Sequence, residues 1–248
     1  MRYNRLEKIK QILRTENTIS VERLAQTLEV SINTIRRDIA TLENEGFINK
    51  FYGGIKLATP NEPTPFSERE ASNTKAKVYV AQKAASYIKS RDVIFIDSGT
   101  TTMYLPEFLA QKNVTILTCS LLVMNSAVNL GLNLIGTGGT LYIPSKSFVG
   151  GGTLTALKKY NITKAFMSSS GVSIENGVTN ASPLETEVKQ FIMSTGAEKN
   201  LLIDSSKFDK AALMSYAELK DFNNVFTDKK PQDKFCNYFK ENAVQLIY

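Results

Sequence analysis

Histidine is absent from this chain, and cysteine is nearly so, with only Cys119 and Cys236. The two thiols lie far apart and outside any metal-ligand spacing, so a zinc centre is not expected and reduced cysteines in a cytoplasm are. No apolar run approaches the length of a membrane span. The N-terminus opens on a charged amphipathic segment with no signal-peptide apolar region. These absences lead to the expectation of a cytoplasmic protein with no metal, no membrane partner and no cofactor of its own.

What is present is ordinary in amount. At 248 residues the chain is long enough for two domains and a large core. A hydrophobic content of 42% and a charged content of 22% are those of a soluble globular protein. The net charge of +6 agrees with nucleic-acid binding without requiring it, since many soluble proteins are this basic.

The stretch Ser31-Ile32-Asn33-Thr34-Ile35-Arg36-Arg37-Asp38-Ile39 reads as a helix built to lie in DNA. Ser31 stands at its N-cap, where the hydroxyl can accept from a backbone N–H of the first turn. Ile32, Ile35, Ile39 and Leu42 recur at three- and four-residue spacing and mark one buried face. At about 100° per residue Arg37 points away from that face. Asn33, Thr34 and Thr41 flank it, and Arg36 sits nearer the edge. Such side chains offer hydrogen bonds to base edges and phosphates. Alone, the pattern also fits a surface helix with two solvated arginines. Its surroundings decide.

An earlier helix carries Leu6, Ile9, Ile12 and Leu13, and Ser20 opens a second one with Val21, Leu24, Ala25 and Leu28 on its apolar face. The break Glu29-Val30-Ser31 suits the tight turn of a helix-turn-helix. Gly46 is placed as the C-cap of the third helix. Residues 47–52 and 55–57 around Gly53-Gly54 read as a hairpin, the wing of a winged helix. Lys50 and Lys56 on that wing join Arg36 and Arg37 in one electrostatic footprint. Residues 1–58 are therefore read as a DNA-binding domain with double-stranded DNA as its partner.

Thr59-Pro60-Asn61-Glu62-Pro63-Thr64-Pro65 can neither continue a helix nor pair as a central strand, so residues 59–66 read as a semi-rigid linker. Beyond it, 67–88 reads as one long helix. Apolar runs at 93–97, 114–118, 132–135, 165–168, 201–204, 225–228 and 244–247 then alternate with helical segments at 101–110, 121–129, 154–159, 185–195 and 235–241. Near-continuous apolar strands alternating with helices predict an α/β fold, a doubly wound, largely parallel sheet spanning residues 67–248.

Several of these strands end in small polar residues, where parallel sheets bind ligands. Asp97-Ser98-Gly99-Thr100-Thr101-Thr102 is the most chemical of them. Gly99 lets the backbone turn closely, and the threonines open a helix whose free N–H groups suit an anion. Ser120, Gly138, Gly139, Gly171 and Lys207 lie at the other strand ends. Together they point to a small anionic or sugar ligand. Asp97 reads equally as a cap of its own loop or as a sugar contact. Glu185, Glu187 and Lys189 lie on a helix and read as surface.

The pattern Arg5, Ile9, Leu13, Ser31, Thr34, Ile35, Arg36, Arg37, Asp38, Ile39 resembles the N-terminal signature of the DeoR family of bacterial transcription regulators. The segments Ser98-Gly99-Thr100-Thr101, Gly138-Gly139, 164–171, 177–179, 185–189 and Asp204-Ser205-Ser206-Lys207-Phe208 match the family as well. The resemblance implies a winged helix-turn-helix joined to a sugar-phosphate-sensing domain similar to ribose-5-phosphate isomerase. It makes the Ser98–Thr101 loop the phosphate cradle and puts Lys207 at the pocket. There are two departures. Tyr52 stands where the family has a His, and an aromatic donor can still reach a phosphate. Cys119 replaces an Asn after the second strand, a poorer hydrogen-bond partner that bears on sugar preference.

Two functions follow. The first is a ligand-controlled regulator, a repressor of a sugar uptake or catabolic operon, binding operator DNA as a dimer or tetramer. The alternative is a sugar-phosphate isomerase or deaminase with a DNA-binding appendage. Isomerisation needs a carboxylate base and a group to assist ring opening, often His. Strand ends rich in Ser, Thr and Gly, in a chain without histidine, favour binding over turnover and give no catalytic residue.

Overall fold

The computed structural model describes residues 2–44, 47–51, 53–57 and 65–248. Gly46, Tyr52 and residues 59–64 of the expected linker lie outside them. Contacts divide the chain into two compact units, Met1–Thr64 and Pro65–Tyr248.

In the first unit, α1 (Arg2–Glu16), β1 (Thr18–Ser20), α2 (Val21–Thr27) and α3 (Ile32–Asn44) precede the hairpin of β2 (Ile48–Phe51) and β3 (Gly54–Leu57). Both expected N-caps form. Ser20 Oγ accepts from Arg23 N at 3.1 Å, and Ser31 Oγ from Thr34 N at 3.2 Å. Ile9, Leu13, Leu24, Ile35, Ile39, Leu42, Ile48 and Ile55 are buried together as one core. Ile32 departs from the expected stripe and is 40% exposed, because it opens the helix ahead of the turns that pack on the core. The strand β1 has no sequence signal of its own, since three residues are too few for a period. It is held by pairing, with Ile19 opposite Ile55, and completes a sheet of order β1-β3-β2.

The second unit begins with α4 (Phe66–Ala71) and α5 (Thr74–Ala85), followed by β4 (Val93–Ile96), β5 (Thr115–Thr118), α6 (Leu121–Asn129) and β6 (Asn133–Gly136). Next come β7 (Thr140–Tyr142), β8 (Ser147–Val149), α7 (Gly151–Leu157), β9 (Lys164–Met167), β10 (Gly171–Ser173), β11 (Gly177–Asn180) and α8 (Pro183–Ser194). The chain closes with β12 (Glu198–Leu202), β13 (Met214–Ala217), β14 (Asn224–Phe226), α9 (Asp233–Glu241) and β15 (Gln245–Ile247).

Seven strands form a parallel sheet of order β15-β14-β12-β9-β4-β5-β6, the doubly wound α/β architecture expected. Alternate residues of each strand feed opposite faces, as a strand's two-residue period requires. Phe95, Leu117, Ala165, Met167, Leu201 and Val225 pack with Val188 and Ile192 of α8 and Phe235 and Phe239 of α9. Ile94, Ile96, Ile116, Phe166, Leu202 and Phe226 pack with Val80, Ala81 and Ala84 of α5 and Val123 and Ala127 of α6. Helices on both faces explain why the strands are apolar throughout. From β4 the chain winds outward to β5 and β6, then returns to β9 on the other side and winds away. The switch point therefore lies at the carboxyl ends of β4 and β9, the place where such sheets bind ligands.

Two of the expected helices need correction, a third forms but begins earlier, and two small sheets join the expected one. The long helix over 67–88 is two, because Asn73 adopts a left-handed conformation (φ 52°) between α4 and α5. The helix expected at 101–110 is a seven-residue 3-10 segment, Thr102–Phe108, with Pro106 inside it and one N–H donor fewer. The helix expected at 154–159 is α7, which starts on glycines that disguise it. The strands β10, β11 and β13 form a separate antiparallel sheet, and β7 with β8 a hairpin, none of them apolar and long enough to read from the sequence. Among the described residues no helix is long and apolar enough to cross a membrane.

Candidate functional site

On α3, Asn33, Arg36 and Arg37 are exposed, while Asp38 is turned into the unit and buried. Arg5 of α1 donates to both Asp38 oxygens, through Nε to Oδ2 and through Nη2 to Oδ1 at 3.2 Å, so α1 fixes the roll of α3. That clamp presents Arg36 and Arg37 outward. Thr34 and Thr41 are half-buried and bonded within the helix, Thr34 to the Ser31 hydroxyl at 2.9 Å and Thr41 to the Arg37 carbonyl at 3.1 Å. On the wing, Lys56 is half-buried and Lys50 is exposed and paired with Glu43 of α3, which ties wing to helix.

In the second unit the residues after β4 and β9 meet at the switch point. Asp97 Oδ2 accepts from Ser168 N at 2.9 Å, from Ser168 Oγ, and from Lys189 Nζ of α8. Lys189 also donates to the Ser168 carbonyl at 3.0 Å, which takes a further bond from Tyr216 Oη at 2.8 Å. Burial pushes the Asp97 carboxyl up, but the Lys189 charge and the hydrogen bonds from Lys189 and Ser168 outweigh it and hold it below its ordinary value. Asp97 thus has a role beyond the two read from the sequence, as one half of a buried brace. Lys189, read as surface, is its other half. Glu185 also leaves the expected surface and accepts from Ser98 Oγ at 2.9 Å, whereas Glu187 is exposed.

The turn itself is tightly packed. A Cβ on Gly99 would lie 2.0 Å from Ser168 Oγ, so only glycine lets the loop pass. Thr102 is fully buried and donates to the carbonyls of Asp97 and Gly99 at 2.8 and 3.0 Å. Thr100 and Thr101 are nearly buried beside it. Because the helix after them is a short 3-10 segment, few aligned peptide dipoles face the turn, and charge for an anion must come from elsewhere.

The positive charge gathered nearby is that of Arg69, Lys77 and Lys207. Burial lowers the Lys77 ammonium to about 8, with Asp204 opposing and Lys207 and Arg69 adding to the effect. Burial also lowers Lys207, opposed by Asp204 and reinforced by Arg69 and Lys210. Arg69 is lowered by burial against the opposing charges of Glu185 and Asp97. Three cations thus share one neighbourhood between α4, α5 and the loop after β12, and Arg69 among them also feels the Asp97 and Glu185 charges. Asp204, buried in that loop, accepts through Oδ1 from Asn73 Nδ2 at 3.1 Å and from Ser206 N at 3.0 Å. Its Oδ2, equally buried, accepts no hydrogen bond among the described residues.

Other sequence candidates have structural partners. Ser120 Oγ accepts from Val123 N at 3.3 Å as the N-cap of α6. The Gly138 carbonyl accepts from Thr153 Oγ1 at 2.7 Å, and Gly139 (φ 112°) lies so close that a Cβ would meet the same hydroxyl at 2.2 Å. Gly171 opens β10 against the Lys210 backbone. Among the residues missed, Lys77 and Lys189 did carry a signal. Lys77 shares its helical stripe with Val80, Ala81 and Ala84, and Lys189 shares one with Val188 and Ile192. A charge on an apolar stripe is buried only with a purpose.

Residues 5–61 match the family model described as the DeoR-like helix-turn-helix domain, and residues 72–229 match the DeoR C terminal sensor domain. The HTH-type transcriptional regulator IolR of Bacillus subtilis (strain 168) is 37% identical over 248 residues, 99% of this chain and 99% of that one. The lactose phosphotransferase system repressor of Lactococcus lactis subsp. lactis is 32% identical over 250 residues, covering 98% of this chain and 97% of that one. Among solved structures, ribose 5-phosphate isomerase A from Methanocaldococcus jannaschii aligns at 19% identity with a TM-score of 0.42, over 55% of each chain.

Proposed function

The chain belongs to the DeoR family of transcriptional regulators, and on that footing we propose that it represses a sugar uptake or catabolic operon under the control of a phosphorylated sugar. Membership makes it a DNA-binding regulator with a sensor domain, and the relatives it matches are regulators, not enzymes. The repressor reading draws on the lactose phosphotransferase system repressor.

The observation that carries the effector reading is the convergence of Arg69, Lys77 and Lys207 around the Asp204 loop, where Lys77 Nζ meets the Arg69 carbonyl and Asn73 meets Asp204. Cations that are mostly desolvated and crowd one another are stabilised by a dianion, and a phosphate ester supplies one. The buried Asp204 Oδ2, unpartnered among the described residues, and the Glu185 carboxylate suit the hydroxyls of a sugar. On the DNA side, Arg37, Thr34 and Asn33 read base edges and Arg36 takes a phosphate. Binding controls transcription by favouring one of two states that differ in affinity for both effector and DNA. A dimer or tetramer places paired heads on half-sites about one helical turn apart. The protein works in the cytoplasm, and the sugar phosphate is an effector in a scheme with no cofactor.

Thermal unfolding in the presence of pentose 5-phosphates, hexose 6-phosphates and the corresponding free sugars tests this. Selective stabilisation by one phosphorylated sugar, together with its release of the protein from promoter DNA, is the expected result. Equal stabilisation by the free sugar defeats the phosphate site.

A further inference from the structure

The helix α4 is the first described element after the segment joining the two units, and it is bound to the sensor by polar contacts at its C-terminal end. Lys77 Nζ donates to the Arg69 carbonyl, and Glu70 pairs with Lys146 at 3.4 Å. The next residue pair, Ser72 and Asn73, turns the chain into α5. Asn73 stands in the left-handed region at φ 52°, which asparagine tolerates better than most residues. It stands at the N-cap position of α5, yet its side chain makes no capping bond there. Instead Nδ2 donates to Asp204 Oδ1 at 3.1 Å and to Ser206 Oγ at 3.2 Å, residues 131 and 133 positions away. Those acceptors belong to the loop that carries Lys207, whose N–H in turn donates to the Asp204 carbonyl at 3.0 Å.

From this arrangement we infer that Asn73 is a positioning residue that couples the ligand-binding loop Asp204–Lys207 to α4, and so to the segment leading to the DNA-binding unit. The inference rests on the reading that a phosphorylated ligand binds beside Lys207. A ligand that engages Lys207 acts on the neighbouring Asp204 carboxylate, the same one that Asn73 holds. The Asn73 amide reports the state of that loop to the turn between α4 and α5. Arg69 and Lys77 give α4 a direct electrostatic response to the ligand, and the Asn73 amide adds to it a side-chain hydrogen bond between the turn after α4 and the Asp204 carboxylate. Any energy transmitted is the difference in ligand affinity between the two states of this contact.

Hydrogen exchange on the full chain, with inorganic phosphate as the probe, separates the possibilities. Phosphate is expected to slow exchange in both 204–207 and 66–73 of the wild-type protein, the latter by about tenfold. Asn73→Gly keeps the left-handed backbone but removes the amide. It is expected to retain protection at 204–207 and to lose most of the response at 66–73, keeping only the part that Arg69 carries directly. Asn73→Asp also tolerates that backbone and places an acceptor against Asp204, so it should lose the same response. Protection at 204–207 with an unchanged 66–73 in the wild type overturns the coupling, as does an undiminished response in both variants. If phosphate leaves 204–207 untouched in the wild type, the phosphate site itself fails, and the coupling fails with it.

Discussion

Lys189 of α8 and Asp97 at the end of β4 are 92 positions apart and form a buried ion pair, with side chains 3% and 2% exposed. The pair closes the switch point from behind, joining two strand ends to a helix on one face of the sheet. Because both charges have left water, neither is tolerated alone. Lys189→Met is therefore expected to cost about 3–5 kcal/mol, read as a lower urea midpoint for the sensor unit. Adding Asp97→Asn should recover much of that loss. A single variant as stable as the wild type would mean the pair carries no such weight.

Gly99 faces a neighbour that cannot move aside, since Ser168 is pinned by Asp97 through both its N–H and its hydroxyl. Gly99→Ala is expected to destabilise the sensor unit by about 1–3 kcal/mol through overpacking. Ser168→Gly in the same chain removes the clashing atoms and should restore part of it. Urea unfolding of the two variants gives the comparison.

Arg37 is exposed on α3, whereas Arg5 is bound to the buried Asp38. The two arginines should separate function from stability. Arg37→Ala is expected to weaken DNA binding by about 1–3 kcal/mol with an unchanged melting temperature. Arg5→Ala should lower the melting temperature of the first unit. Titration of promoter fragments at fixed salt, alongside thermal unfolding, measures both, and unchanged DNA affinity in Arg37→Ala would remove it from the reading surface.

Lys77 gives the ligand site a pH dependence. Its ammonium, lowered by burial to about 8, is charged below that pH and neutral above it. A phosphate ester is already a dianion there, its second ionisation lying near about 6. Anion affinity should therefore fall as pH rises through about 8. Lys77→Met should bind more weakly at pH about 7 and lose this step. Stability moves the other way, because between about 8 and the ordinary lysine value the unfolded chain holds a proton that the folded one lacks. Calorimetric titration with the stabilising sugar phosphate at several pH values reads the step directly.

Elements with a local signal are legible in the order of the residues alone. Caps at Ser20 and Ser31, the stripe Ile35, Ile39 and Leu42, and the apolar runs that became β4, β5, β9, β12 and β14 all follow from helix and strand periods within a few residues. Parallel pairing followed too, because a strand covered on both faces is apolar throughout. The roles of the polar residues emerge only from long-range contacts. Ser120 became a helix cap and Asp97 a partner of Lys189. Asn73 broke a helix to reach Asp204, and Lys77 joined Lys207. A period records which face of an element is buried. The partner met there is set by the crossover connections, which bring together residues that are dozens of positions apart and carry no mark of one another in the sequence.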